Sequence, residues 1–177
     1  MSWRIPAFTA VCIGLLAGCG AWQAASDASV SAYRAVFTSN VKTLNVDLSA
    51  DETLNPDETG HPTPVVVRIY QLRDRKAFDS VSRADLAKGD RTLLATDLNA
   101  ELSAVLNPGA SASLSQRMQP GTQFVAIVVL YRTTDADGAW KQVIATKKLR
   151  ADAALKVMID ADQVRLQDDA AGHGRAS

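Results

Sequence analysis

The side chain best equipped for chemistry in this chain is the thiol of Cys19, which ends the stretch Leu16-Ala17-Gly18-Cys19. A thiol ionises more readily than the other small nucleophiles, so it is the natural acceptor for an acyl group. An apolar run from Ala7 to Leu16 precedes it, with Arg4 ahead of the run. A basic start, an apolar core too short to span a bilayer and small residues at the end make a secretory signal peptide. Small side chains at Ala17 and Gly18 let the backbone lie close in a peptidase cleft. Cys12 lies inside the run and leaves with it.

Other chemistries lack their constellations. His61 and His173 stand in a loop and in the tail, without partners at metal-ligand spacing. There is no phosphate loop and no Gly-x-Ser-x-Gly elbow. Asp135-Ala136-Asp137-Gly138 begins like a calcium loop but lacks the closing Glu, and reads as a hairpin turn. Asp51, Glu52, Asp57 and Glu58 form two acidic pairs, but in a flexible, solvated loop with no apolar pocket to raise a pKa. The expectation is a protein that is not an enzyme, with no metal and no cofactor. Nineteen basic residues balance nineteen acidic ones, with no basic run, so nucleic acid is not an expected partner.

Leu16 to Cys19 resembles the bacterial lipobox in every position. The resemblance implies that Cys19 is acylated on sulfur, that the chain is cut before it, and that the new amine is acylated too. Burying acyl chains is worth ~0.8 kcal/mol per CH₂, so several chains hold a protein down stably. By the same resemblance, Gly20 and Ala21 in place of an Asp after the cysteine imply the outer membrane, on its periplasmic face. The expected organisation is a signal peptide over 1–18, a lipidated tether over 19–32, a β-sandwich over 33–167 and a flexible tail over 168–177. Once Cys19 is acylated no thiol is left for a disulfide, so packing alone must stabilise the domain.

The elements follow from periodicity. Leu44, Val46 and Leu48 alternate with Asn45 and Asp47, a half-buried strand, and Val36 and Phe37 begin an earlier piece packed on it. Residues 50–64 hold three prolines, four acids and one large apolar side chain, Leu54. A loop of that length inside a compact domain is commonly functional or disordered. Residues 65–72, Val-Val-Val-Arg-Ile-Tyr-Gln-Leu, are the strongest strand and are apolar on both faces, so both are covered. Arg68 then needs a partner, with Asp74 and Asp97 as candidates. Ser82 to Asp85 resembles a capping box, Gly89 ends the helix, and Phe78, Leu86, Leu93, Leu94 and Leu98 form an apolar lid. Residues 110–118 are a weak edge strand and 124–131 a central one, with further strands over 140–148, 155–159 and 163–167. About eight strands and a short helical excursion give a mainly β fold, a two-layer antiparallel β-sandwich.

Pro64 to Leu72 with Ala77-Phe78 resembles TssJ, the outer-membrane lipoprotein family of the bacterial type VI secretion system. The lipobox, Leu54-Asn55-Pro56-Asp57, Asp97-Leu98, Leu106-Asn107-Pro108-Gly109 and Tyr131-Arg132 with Trp140 match in the same order. The resemblance implies a transthyretin-like sandwich. It also implies binding of the TssM periplasmic domain, at its C-terminal part, within the TssJ–TssL–TssM membrane complex, and attachment to outer-membrane lipid through Cys19. In that family the loop between the first two strands meets TssM. Here that loop supplies Leu54, Asn55, Pro56, Asp57, Glu58, Thr59, Gly60 and His61, with Leu54 as the expected anchor. The alternative is a periplasmic small-ligand or glycan-binding lipoprotein on the same sandwich, with a concave apolar pocket. Cys19→Ser should abolish incorporation of a labelled fatty acid and move the protein out of the membrane fraction.

Overall fold

The computed structural model describes residues 41–132 and 139–167. Cys19, the tether, Val36, Phe37, the turn at 135–138, and the tail with His173 lie outside these residues. The described strands are β1 Thr43–Ala50, β2 Val65–Leu72, β3 Leu98–Leu106, β4 Ser111–Arg117, β5 Phe124–Val129, β6 Lys141–Ala145, β7 Leu155–Ile159 and β8 Val164–Leu166. Helices α1 Lys76–Ser80 and α2 Arg83–Leu93 separate β2 from β3. One sheet has the order β4-β1-β7-β8 and the other β3-β2-β5-β6. The chain therefore crosses between sheets after β1, β3, β4 and β6.

One pairing departs from the expected antiparallel sandwich. β1 and β7 run parallel, with Val46 beside Leu155 and Ala50 beside Ile159. The cause is the route of the chain: after β6 it crosses back through residues 146–154 and enters β7 at the end where β1 begins. The other neighbouring pairs are antiparallel.

Alternation sets the core. Leu44, Val46 and Leu48 of β1 are buried, as are Val65, Val67 and Ile69 of β2 and Val125, Ile127 and Val129 of β5. β4 lies at a sheet edge and alternates exposed with partly buried residues, and β5 is central and almost wholly buried, both as expected. The second face of β2 is covered by the helices: Tyr70 packs on Phe78, with ring centroids 6.2 Å apart, and Leu86 and Leu94 are buried there. Leu93 is the exception in the expected lid, since it is 44% exposed.

Helix α2 starts where its cap predicts, with Ser82 Oγ accepting the Asp85 N–H at 3.1 Å. Its first helical segment ends at Gly89 as expected, where φ −168° and ψ 53° leave the helical region, and a second short segment then runs on to Leu93 and brings Asp90 over β2. Arg68 consequently donates to Asp90 Oδ2 at 2.8 Å and to the Leu86 carbonyl at 3.0 Å, and Tyr70 Oη donates to the same Asp90 oxygen at 2.7 Å. Asp74 and Asp97 are not its partners; the Asp97 carbonyl instead accepts the Arg73 N–H beyond the strand end. Burial opposes charge on Asp90, but the Tyr70 hydroxyl, the Arg91 N–H and the Arg68 guanidinium together hold its pKa below the ordinary value.

Gln71 is the polar residue on the inner face of β2, and it is fully buried. Its Nε2 donates to Gln116 Oε1 at 2.8 Å and to the Arg117 carbonyl at 3.0 Å, and its Oε1 accepts the Gln119 N–H at 2.7 Å. Thr122 Oγ1 lies 3.3 Å from the same oxygen. One amide thus ties β2 of one sheet to β4 of the other. Among the described residues every buried side-chain nitrogen and oxygen has a partner. Gln71→Leu keeps the volume but strands several of these partners, so urea unfolding should show a loss of about 2–4 kcal/mol.

Candidate functional site

The chain leaves β1 at Ala50 and enters β2 at Val65, and the connection is held from both ends. Leu54 is 0% exposed. The residue expected to anchor a partner therefore anchors the loop to its own sandwich. This follows from its being the one large apolar side chain in the loop, for which the adjacent core is the nearest cover.

Asn55 fixes the rest. It is 4% exposed and has φ 47°, in the left-handed region where Asn is among the few residues tolerated. Its N–H donates to the Ala161 carbonyl in the β7–β8 turn at 2.9 Å. Its Nδ2 donates to Thr63 Oγ1 at 2.9 Å and to the Pro64 carbonyl at 3.0 Å, while its Oδ1 accepts the Arg132 N–H at 2.8 Å. Thr63 Oγ1 in turn donates to the Asn55 carbonyl, and the Thr63 N–H reaches the Leu54 carbonyl at 3.0 Å. A single side chain thus joins both strands of the loop to the segment after β5, and its backbone adds the turn after β7. On the other side, the Gly109 N–H donates to the Asp51 carbonyl at 3.1 Å, so the Pro108-Gly109 turn braces the loop's first residues. Gly109 has φ 70°, which glycine adopts without strain.

Beyond this base stands a tip of its own shape. Asp57 Oδ1 accepts the N–H of Thr59 at 2.8 Å, the hydroxyl of Thr59 at 2.6 Å and the N–H of His61 at 2.9 Å. The Asp57 N–H closes the turn on the His61 carbonyl at 2.9 Å, and Gly60 takes φ 84° within it. Thr59 Oγ1 also meets His61 Nδ1 at 2.6 Å. Glu58, Thr59, Gly60 and His61 are exposed, and Pro56 and Asp57 are half-buried. The Glu58 carboxylate, 92% exposed, lies 3.5 Å from Arg132 Nη2. Such an exposed pair is worth little by itself and opens readily toward a competing charge. The loop is solvated as expected, but it is internally bonded rather than flexible.

Of the residues singled out from the sequence, Leu54 and Asn55 form the base and Pro56 to His61 the presented surface. Arg132, Ala161 and the turn at 107–109 complete the site without having been assigned to it. Their contributions run mainly through backbone N–H and C=O groups, which carry no residue-type signature. No group of residues that could hold a metal occurs among the described residues.

The Asp57 carboxyl is drawn down from the ordinary 3.8 to about 2, first by the Thr59 hydroxyl and then by the N–H groups of His61 and Thr59. Because the folded value lies below the ordinary one, the carboxylate supports the tip at pH above 3.8 and ceases to as pH falls through about 2. Amide protection at Thr59 and His61, read relative to β2 amides, should hold down to pH near 3.8 and fall as the pH approaches 2.

The family model described as "Type VI secretion lipoprotein, VasD, EvfM, TssJ, VC_A0113" matches residues 42–163. A chain of a solved structure described as "Type VI membrane complex" is similar at 30% identity and a TM-score of 0.69, over 73% of this chain and 100% of that one. A chain of a structure described as the T6SS protein TssM C-terminal domain from EAEC is similar at 27% identity and a TM-score of 0.64, over 72% and 99% of the two chains. The T6SS lipoprotein TssJ1 from Pseudomonas aeruginosa shares the fold at 22% identity and a TM-score of 0.63, over 72% of this chain and 95% of that one. No curated protein matches. With most of the sandwich inside the matched residues, the chain belongs to the type VI secretion lipoprotein family.

Proposed function

We propose that this chain is a lipid-anchored structural component of the type VI secretion membrane complex. It binds the periplasmic C-terminal region of TssM and ties it to the periplasmic face of the outer membrane through acylated Cys19. Membership of the lipoprotein family supports the anchoring, and the likeness to chains of structures described as the type VI membrane complex and the TssM C-terminal domain supports the partner. The role is mechanical rather than enzymatic.

The observation that carries the reading to particular residues is the preformed tip. An interface costs less to form when its loops are already ordered, because less conformational entropy is lost on docking. Pro56, Pro62 and Pro64 restrict the backbone further, and the hydrogen bonds of Asp57 hold the turn between them. Glu58, Thr59, Gly60 and His61, with the exposed edges of Pro56 and Asp57, are the contact surface. Leu54 and Asn55 act by holding that surface in place. Glu58 offers a carboxylate that can exchange Arg132 for a cation of the partner.

The periplasmic region of TssM should bind the mature lipoprotein with a Kd of about micromolar or tighter, measured by calorimetry. Replacing residues 57–61 with a Gly/Ser linker, and leaving Leu54 and Asn55 intact, should weaken binding at least about tenfold, a loss of roughly 1.4 kcal/mol. The melting temperature should stay close to that of the parent. Full affinity in the replaced protein would remove the tip from the interface.

A further inference from the structure

The end of the sandwich opposite the tip holds a groove of about 310 Å³. Its walls are the start of β1 (Val41 to Asn45), the segment after β6 (Lys148 to Arg150), residues 153–156 and the end of β8. Buried Leu44 and Ile144 and partly buried Leu149, Leu155 and Leu166 supply its apolar lining, beside a nearly equal polar share. Its rim is cationic. Lys148, Arg150 and Lys156 line it, Lys147 adjoins Lys148, and Lys42 stands between the lining residues Val41 and Thr43. All five are exposed. Among the acids near them, Asp152 sits 3.6 Å from Arg150, Asp47 stands beside Lys156 in the β1–β7 pairing, and Asp168-Asp169 follow the lining residue Gln167 in the chain. The opposite end carries six acids, Asp51, Glu52, Asp57 and Glu58 in the loop and Asp160 and Asp162 around the turn that holds Asn55, against two arginines, Arg132 paired with Glu58 and Arg165 with Asp160. The domain is therefore electrically polarised along its length.

Chain direction gives this polarity a meaning. The sequence enters the sandwich at Val41, on the lip of the groove, and the residues before it lead back to Cys19. The cationic end is the one nearest the lipid attachment along the chain. Between Cys19 and Val41 lie 21 residues, which fully extended reach roughly 70 Å. Covalent anchoring through such a length does not by itself orient the domain. Cations beside an anionic bilayer are attracted to it within about a Debye length, and acids at the far end are repelled.

We propose that the groove end is a membrane-docking surface that takes the phosphate groups of anionic lipid headgroups. Lys148, Arg150 and Lys156 meet the phosphates, with Lys42 and Lys147 beside them. Docking stands the sandwich on its cationic end and points residues 57–61 away from the bilayer toward the partner. This rests on the lipid-anchor reading above.

The test uses the acylated lipoprotein reconstituted into vesicles, with a donor fluorophore on a cysteine at Ala153→Cys or, separately, at Glu58→Cys, and acceptor-labelled headgroups. Failure of the protein to enter vesicles at all would count against acylation. Once it is in, on phosphatidylethanolamine vesicles containing phosphatidylglycerol the donor at 153 should be quenched much more than the donor at 58. Half-molar salt should reduce the difference, as should vesicles of phosphatidylcholine alone. Each cation near an anionic surface biases docking about fivefold, so Lys148→Gln/Arg150→Gln should lower the ratio of docked to undocked molecules roughly twentyfold. Equal quenching at the two positions on anionic vesicles would overturn the proposal. So would a difference that persists unchanged in salt and on phosphatidylcholine.

Discussion

The arrangement turns on Asn55. A 14-residue connection between strands of opposite sheets has no ladder of its own, and its polar backbone would otherwise be left to water. Asn55 replaces that ladder with one side chain that both donates and accepts, held in a left-handed backbone position that few residue types adopt. Leu54 beside it supplies the apolar part of the same attachment. With these two residues seated, the residues that follow need close only a short turn, and the carboxylate of Asp57 suffices for that. Order thus passes outward from the core, through Leu54 and Asn55, to the exposed tip.

The same economy appears at the other end of the domain, where Gln71 ties the sheets together through a fully satisfied buried amide. Buried amides stabilise only when every partner is in place, and they discriminate strongly against displaced registers. The bulge in the β2–β3 pairing falls at the same point, between Gln71 and Leu72. Together with the Arg68–Asp90–Tyr70 cluster beneath α2, these contacts give a cysteine-poor domain its specific packing.

Much of this was legible in the residues. Alternation placed β1, the double-faced apolar run placed β2, and the composition of residues 50–64 marked the long connection between them. Ser82 announced the start of α2. What escaped was set by long-range geometry. Arg68 finds Asp90, 22 residues on, because a second helical segment resumes after the break at Gly89, and no local pattern encodes that. Leu54 looked like an anchor for a partner because sequence alone does not say which side of a loop faces its own core. The parallel β1–β7 pair depends on the crossover after β6 rather than on either strand. Three of the five cations around the groove lie together in Lys147-Lys148-Leu149-Arg150, and only the fold brings Lys42 and Lys156 to the same end.

Hydrogen–deuterium exchange on Asn55→Ala measures the central constraint most directly. Protection of the amides at positions 55, 63 and 132 should be lost together with that at Thr59 and His61 in the tip, while amides within β1 and β2 stay protected. Unchanged protection across residues 55–63 would show that the loop's order comes from elsewhere and would contradict the account.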